Sequence, residues 1–228
     1  MSNKFYQYIL ESLIAEYRTV FYKDLYFLFL KDYEHMTRSQ FWKIVDRSIK
    51  NESCKIVQSH GEERIVVASE KIIIKYGRSG KVDMSCLFHD AFVSSFKARC
   101  APVLDSKIVN SDSSARTNLI VPDSVVQKAG INIAVEVELS AKSEERILNK
   151  IIQYNDSGYE SVVYIFNNKK LCKKYEIFYS SIKQLSVLKR IKMHTCYIED
   201  HPVRSNWSEV IDTFLRLQNE LIYANERN

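Results

Sequence analysis

The sequence predicts a mixed α/β (α+β) protein in two parts, and three observations predict it. Three helical stretches followed by a hairpin pattern fill the first third, and a strand, turn, strand, helix, strand series occupies the middle of the second part. The composition is that of an ordinary folded chain: 46% apolar, 27% charged, with only 5 glycines and 3 prolines in 228 residues. Disorder and fibrous structure are excluded, and a chain this long can bury a core without a disulfide or metal staple. Its five cysteines are scattered with no C-x-x-C pair, which fits reduced thiols in a cytosol.

Phe5, Ile9 and Leu13 recur at helical spacing, with Tyr6, Leu10 and Tyr17 offset beside them, so a first helix is expected over 5–17. A second follows over 22–33. Glu11, Glu16, Arg18, Lys23 and Asp24 interrupt these apolar runs well before the ~20 residues needed to cross a bilayer, and they also break a secretory-signal pattern. A cytoplasmic protein without a membrane partner is expected. Thr37 and Gln40 form a capping-box signature for a third helix over 38–50, with Phe41, Ile44, Val45 and Ile49 as its apolar face. The other side carries Arg38, Lys43, Arg47 and Lys50. The stretches 55–58 and 64–67, separated by a polar turn over 59–62, then read as a hairpin that begins its second strand with Arg64.

Three helices and a hairpin are the order of a winged helix, which docks its third helix in a major groove while basic residues neutralise phosphates. Arg38, Lys43, Arg47, Lys50 and Arg64 are therefore the expected contacts to double-stranded DNA, whereas Trp42, Tyr17 and Tyr26 are expected in the core. The net charge of +5 permits a polyanionic partner without requiring one. Two glycines and a serine over 77–80 predict a boundary between a domain over 1–78 and another over 79–228. Helical spacing resumes near Met84, and 101–114 reads as a loop or weak strand.

The chemistry is concentrated between residues 119 and 166. In 131–139, Ile133, Val135, Val137 and Leu139 alternate with Glu136 and Glu138, so the two carboxylates share one strand face. The preceding strand is expected to end at Pro122-Asp123, and a turn at Lys128-Ala129-Gly130 folds the two into a hairpin that lets Asp123 reach Glu136. Ser140 or Ser143 caps a helix over 144–155, whose apolar set is Ile147, Leu148, Ile151 and Ile152. Lys142, Arg146, Lys150 and Gln153 line another side. Three carboxylates brought together repel one another unless a cation neutralises them, and Mg²⁺ or Mn²⁺ is the natural neutraliser. A lysine beside that ion would offset charge developing on a phosphate. A strand at 161–166, a basic helix with Lys169, Lys170, Lys173 and Lys174, a strand at 193–198 and a last helix over 207–223 complete the chain.

Pro122-Asp123 followed by Glu136-Val137-Glu138 resembles the PD-(D/E)XK nuclease superfamily, whose core is a hairpin bearing an Asp and a (D/E)-x-K triplet flanked by helices. With the winged helix, His89-Asp90 and the helix ending Lys150-Ile151-Ile152-Gln153-Tyr154, the chain is similar more narrowly to replication-relaxation and MobC-type plasmid mobilisation proteins. The resemblance implies a restriction-endonuclease-like mixed sheet and a divalent-metal-dependent DNA-nicking endonuclease acting at a plasmid origin-like site, with other mobilisation proteins as partners. It implies Asp123, Glu136 and Glu138 as metal ligands, and His89 or Asp90 as an accessory carboxylate or proton shuttle. Glu138 stands where the superfamily has lysine, so the catalytic lysine is expected at Lys142 or Lys150. A tyrosine nucleophile such as Tyr154 or Tyr159 is the alternative to metal-activated water. The alternative function is a non-catalytic DNA-binding regulator of replication or mobilisation that keeps the fold; a restriction or repair endonuclease is a third.

Overall fold

A computed structural model describes residues 3–58, 63–78, 81–110, 120–183, 191–199, 202 and 206–225. Among them are eight α-helices and two sheets, a mixed α/β architecture, and the chain divides into two compact units, Met1–Ala98 and Arg99–Asn228. No helix among the described residues is long and apolar enough to cross a membrane. All five cysteines are free.

The first unit contains α1 (Asn3–Tyr17), β1 (Thr19–Phe21), α2 (Tyr22–Asp32), α3 (Arg38–Lys50), β2 (Cys54–Gln58), β3 (Arg64–Ala68) and α4 (Glu70–Lys75). The capping box forms as the sequence predicts: the Thr37 side chain accepts from the Gln40 amide while the Gln40 side chain accepts from the Thr37 amide. Phe41, Ile44 and Val45 are buried against Leu10, Ile14, Leu25 and Phe29, and Ile49, Trp42, Tyr17 and Tyr26 pack around that core. β2 and β3 pair antiparallel from Cys54–Ala68 to Gln58–Arg64, and β3 also takes β1, giving the sheet order β1-β3-β2. The turn expected over 59–62 lies outside the described residues. β1 and α4 have no counterpart in the sequence reading, since three residues are too few to show a period and Ile72-Ile73-Ile74 is an uninterrupted apolar run.

A short 3₁₀ turn, Met84–Cys86, leads into α5 (Leu87–Leu104). Helix therefore covers the start of the 101–114 segment expected as loop or weak strand, because burial of Ala98, Cys100 and Leu104 carries one helix face past Pro102. The division between the compact units falls inside α5. Its N-terminal turns belong with the first unit through Phe88 on Phe21, the Ser95 hydroxyl donating to buried Asp24, and the Lys97 ammonium over the Tyr17 ring.

The second unit is built on a five-stranded sheet of order β4-β5-β6-β7-β8: β4 (Lys107–Asn110), β5 (Ser124–Lys128), β6 (Ile131–Glu138), β7 (Ser161–Phe166) and β8 (Lys192–Tyr197). The first three strands form an antiparallel meander, and β6, β7 and β8 are parallel. α6 (Glu144–Asn155) and α7 (Lys169–Ile182) make the two parallel crossovers. Two crossovers of one hand stepping in one direction place both helices on the same sheet face. That face gives a core of Ala134, Val162, Tyr164, Phe166 and Met193 with Ile147, Ile151, Tyr154, Leu171 and Tyr175. α8 (Ser208–Asn225) packs on β6 and β8. One boundary differs from the reading of the sequence: Asp123 precedes β5 instead of closing a strand, because Pro122 offers no amide to a ladder and the residues that pair begin at Ser124. Leu119 lies outside the described residues.

Candidate active site

β6 is the central strand of the sheet, and this decides the state of its carboxylates. Alternation puts Glu136 and Glu138 on the face covered by α6 and α7, so both are buried, with Glu136 only 1% and Glu138 7% exposed. Neither carboxylate stands on an edge strand or a solvent face. Burying a carboxylate is costly unless it is paired and hydrogen-bonded. Glu136 is both. Lys150 Nζ donates to its Oε2 at 2.6 Å from α6, and the Tyr154 hydroxyl, one helical turn on, donates to Oε1.

Asp123 stands at the mouth of β5. Ser124 pairs with Val135, so continuing the antiparallel register sets Asp123 opposite Glu136. Its Oδ2 accepts the Val137 amide at 2.8 Å, which fixes the carboxylate against the neighbouring strand. Burial, and secondly the charge of Asp123, push the Glu136 carboxyl up to about 7 against the downward pull of Lys150 and Tyr154. Glu138 has a separate set of partners: the Tyr175 hydroxyl donates to its Oε2 at 3.3 Å, and Lys142 Nζ lies 3.7 Å from the same atom while donating to Ser140 Oγ at 2.7 Å. Each candidate lysine thus meets a different glutamate.

A surface groove of about 390 Å³ opens beside α6, lined by Ile120, Ser143, Arg146, Asn149, Lys150 and Gln153 together with Glu145. Ser143 caps α6 by accepting from the Arg146 amide, as its sequence suggests. The row Arg146, Lys150, Gln153 therefore faces this groove. Lys150 links the two environments, since it lines the groove and reaches inward to Glu136.

Carboxylate oxygens from adjacent strands, with Glu136 holding its proton more readily through burial and then through the charge of Asp123, are a donor set suited to a hard divalent cation. The fit rests on Asp123 and Glu136. No group of three or more His, Cys, Asp or Glu side chains among the described residues is arranged to hold a metal. Tyr154 is fully buried and its hydroxyl is engaged by Glu136, and burial followed by the Glu136 charge holds its acidity far below that of a free phenol. It is poorly placed for attack on a phosphodiester. Tyr159 packs edge-on to it. His89 and Asp90 belong to the first compact unit, with His89 Nδ1 3.2 Å from Asp90 Oδ1.

On the first unit Arg38, Lys43, Arg47, Lys50 and Arg64 are all exposed. Lys50 pairs with Asp46 at 2.8 Å, and the Arg64 guanidinium stacks 5.2 Å from the Trp42 ring centre. Lys169, Lys170, Lys173 and Lys174 are exposed on α7. The sequence offers Tyr154 as core or as a nucleophile, not as a partner of Glu136, and gives Tyr175 and Tyr164 no role. For Tyr154 a signal existed: it follows Lys150 by four residues and so shares its helix face. No known protein-family model matches the chain, and no curated protein is significantly similar to it.

Proposed function

We propose that the protein is a divalent-metal-dependent DNA-nicking endonuclease of PD-(D/E)XK type, acting in the cytoplasm in plasmid mobilisation or replication. The observation that carries this reading is the buried Glu136 carboxylate, set opposite Asp123 and bonded to a lysine that also lines a polar groove. A buried ion pair is a poor stabiliser compared with apolar packing, so its presence at the centre of a sheet argues for chemistry. The antiparallel meander, the α6 crossover and the position of Asp123 and Glu136 on adjacent strands support a restriction-endonuclease-like core. The helix and hairpin order of the first unit, with its exposed basic α3, supports a winged helix that reads a duplex site.

In this mechanism Asp123 and Glu136 would hold Mg²⁺ or Mn²⁺, with Glu138 on the same strand face as Glu136. When bound, such an ion supplies charge stabilisation on the phosphate and an acidified water. Lys150 holds the Glu136 carboxylate in place and presents positive charge toward a backbone seated in the groove, where Arg146 and Gln153 orient the phosphate. Lys142 keeps Glu138 from facing Glu136 unpaired. The second reading, a DNA-binding regulator that keeps the fold without cutting, is favoured by one feature: both Glu136 oxygens are already satisfied by Lys150 and Tyr154.

Incubating supercoiled plasmid carrying the cognate site with the protein separates the two. Relaxation that needs Mg²⁺ or Mn²⁺ and vanishes in Glu136→Ala supports the nuclease. Tight binding without a strand break supports the regulator, and linear product would point to a double-strand endonuclease.

A further inference from the structure

Three tyrosine hydroxyls lie in the buried layer between the sheet and its two crossover helices. Tyr154 donates to Glu136 and Tyr175 donates to Glu138. The third, Tyr164, is 1% exposed, and its hydroxyl has no hydrogen-bond partner among the described residues. Its place is fixed by register: β7 runs parallel to β6 with Tyr164 beside Glu136 and Phe166 beside Glu138, so the ring rises from the same face as both carboxylates. The ring is clamped between Phe166, stacked at 6.2 Å, and Tyr175 at 5.6 Å. Burial first, then the charges of Glu136, Tyr175, Glu138 and Asp123, hold its hydroxyl proton on firmly, so it stays a donor. A buried hydroxyl left without any partner is costly and rare. A water in such a place needs two or more polar partners, and the hydroxyl shares its sheet face with two carboxylates that could supply them.

We propose that Tyr164 is a positioning residue whose hydroxyl holds a water against the Glu136 and Glu138 carboxylates, fixing the donors that receive the divalent cation. The second half rests on the nuclease reading; the first does not. Tyr164 touches neither DNA nor the scissile bond, and acts through the carboxylates. Removing its oxygen leaves the aromatic packing intact and takes away the bridge between the carboxylates, each of which keeps its direct partners.

The test is Tyr164→Phe in the full chain, with two measurements: the thermal midpoint without divalent ions, and calorimetric titration with Mn²⁺. A lower midpoint than wild type and Mn²⁺ affinity weakened about tenfold are expected, the scale of losing a group that supports a metal ligand. A higher midpoint overturns the inference, because it is what removing a truly orphaned hydroxyl does. An unchanged Mn²⁺ affinity overturns the positioning role. Wild-type protein that binds no Mn²⁺ counts against the nuclease reading, and the comparison of midpoints still decides whether Tyr164 holds a water.

Discussion

The two compact units place their candidate functional charges differently, although the first also buries Glu11, Asp24, Glu63 and Lys97. On the first, the basic residues of α3 stand in solvent above an apolar core of Leu10, Phe29, Phe41 and Val45. In the second, Glu136 is drawn into the middle of a sheet and its partners are drawn in with it. Solvated charge on a helix costs little, so α3 is compatible with DNA contact and with plain solubility alike. Interior charge costs several kcal/mol per ion before pairing, a cost the first unit also meets, with Lys75 on Glu11 and Lys23 on Glu63. What sets the β6 carboxylates apart is a second carboxylate, Asp123, facing Glu136 across the strand pair, and this makes them the stronger indication of chemistry and the basic face of α3 the weaker.

The sharpest way to break this contrast is at Glu136. Glu136→Ala should abolish nicking, a loss of at least about a hundredfold, and by leaving the buried Tyr154 hydroxyl without its acceptor it costs roughly 1–3 kcal/mol in a urea titration. Glu136→Gln should lose activity comparably while keeping more of the stability, which separates charge from packing. If both variants nick normally, the buried pair is structural.

pH sharpens the comparison next. With the Glu136 carboxyl near 7 in the fold and 4.5 as its ordinary value, the folded chain binds more protons than the unfolded chain between those limits. Its contribution is thus fully present below about pH 4.5 and is lost as pH rises through about 7, by roughly 3 kcal/mol. Without divalent ions, the stability difference between wild type and Glu136→Gln should shift in the Gln variant's favour from about pH 5 to about pH 8. A pH-independent difference would contradict the buried, strained carboxylate. The exposed charges of α3 predict no such effect.

On the first unit the expected effects are smaller. Arg47→Ala and Lys43→Ala should each weaken duplex binding across all sequences and flatten the dependence on salt by about one unit of slope, measured by fluorescence anisotropy. Unaltered affinity would remove α3 from the interface. Thr37→Ala should cost about 1 kcal/mol of stability by opening the capping box, with DNA affinity affected only through folding.

Local signals were the legible ones. Thr37 and Gln40 set the start of α3, Ser143 that of α6, and the alternation of Ile133, Val135 and Val137 placed Glu136 and Glu138 on one face. Alternation could not tell that this face is buried, because an apolar and charged alternation is also the pattern of a half-exposed strand; burial comes from α6 and α7, which cover it through long-range crossovers. The choice of lysine was hidden for the same reason. Lys142 is nearer in sequence, yet Lys150 meets Glu136, since two turns of α6 bring it back over the strand. Tyr164 and Tyr175 look like any core tyrosine until the β6–β7 register and the packing of α7 set them beside the carboxylates. The strand boundary at Asp123 depended on where pairing with β6 begins, which Pro122 shifts.

Anomalous diffraction from crystals soaked in Mn²⁺ tests the central claim most directly. One ion bound by Asp123 and Glu136, with Lys150 still seated on Glu136 beside the groove, is the predicted result. Ordered carboxylates with no manganese peak between them, or a peak only at surface carboxylates elsewhere, would contradict it.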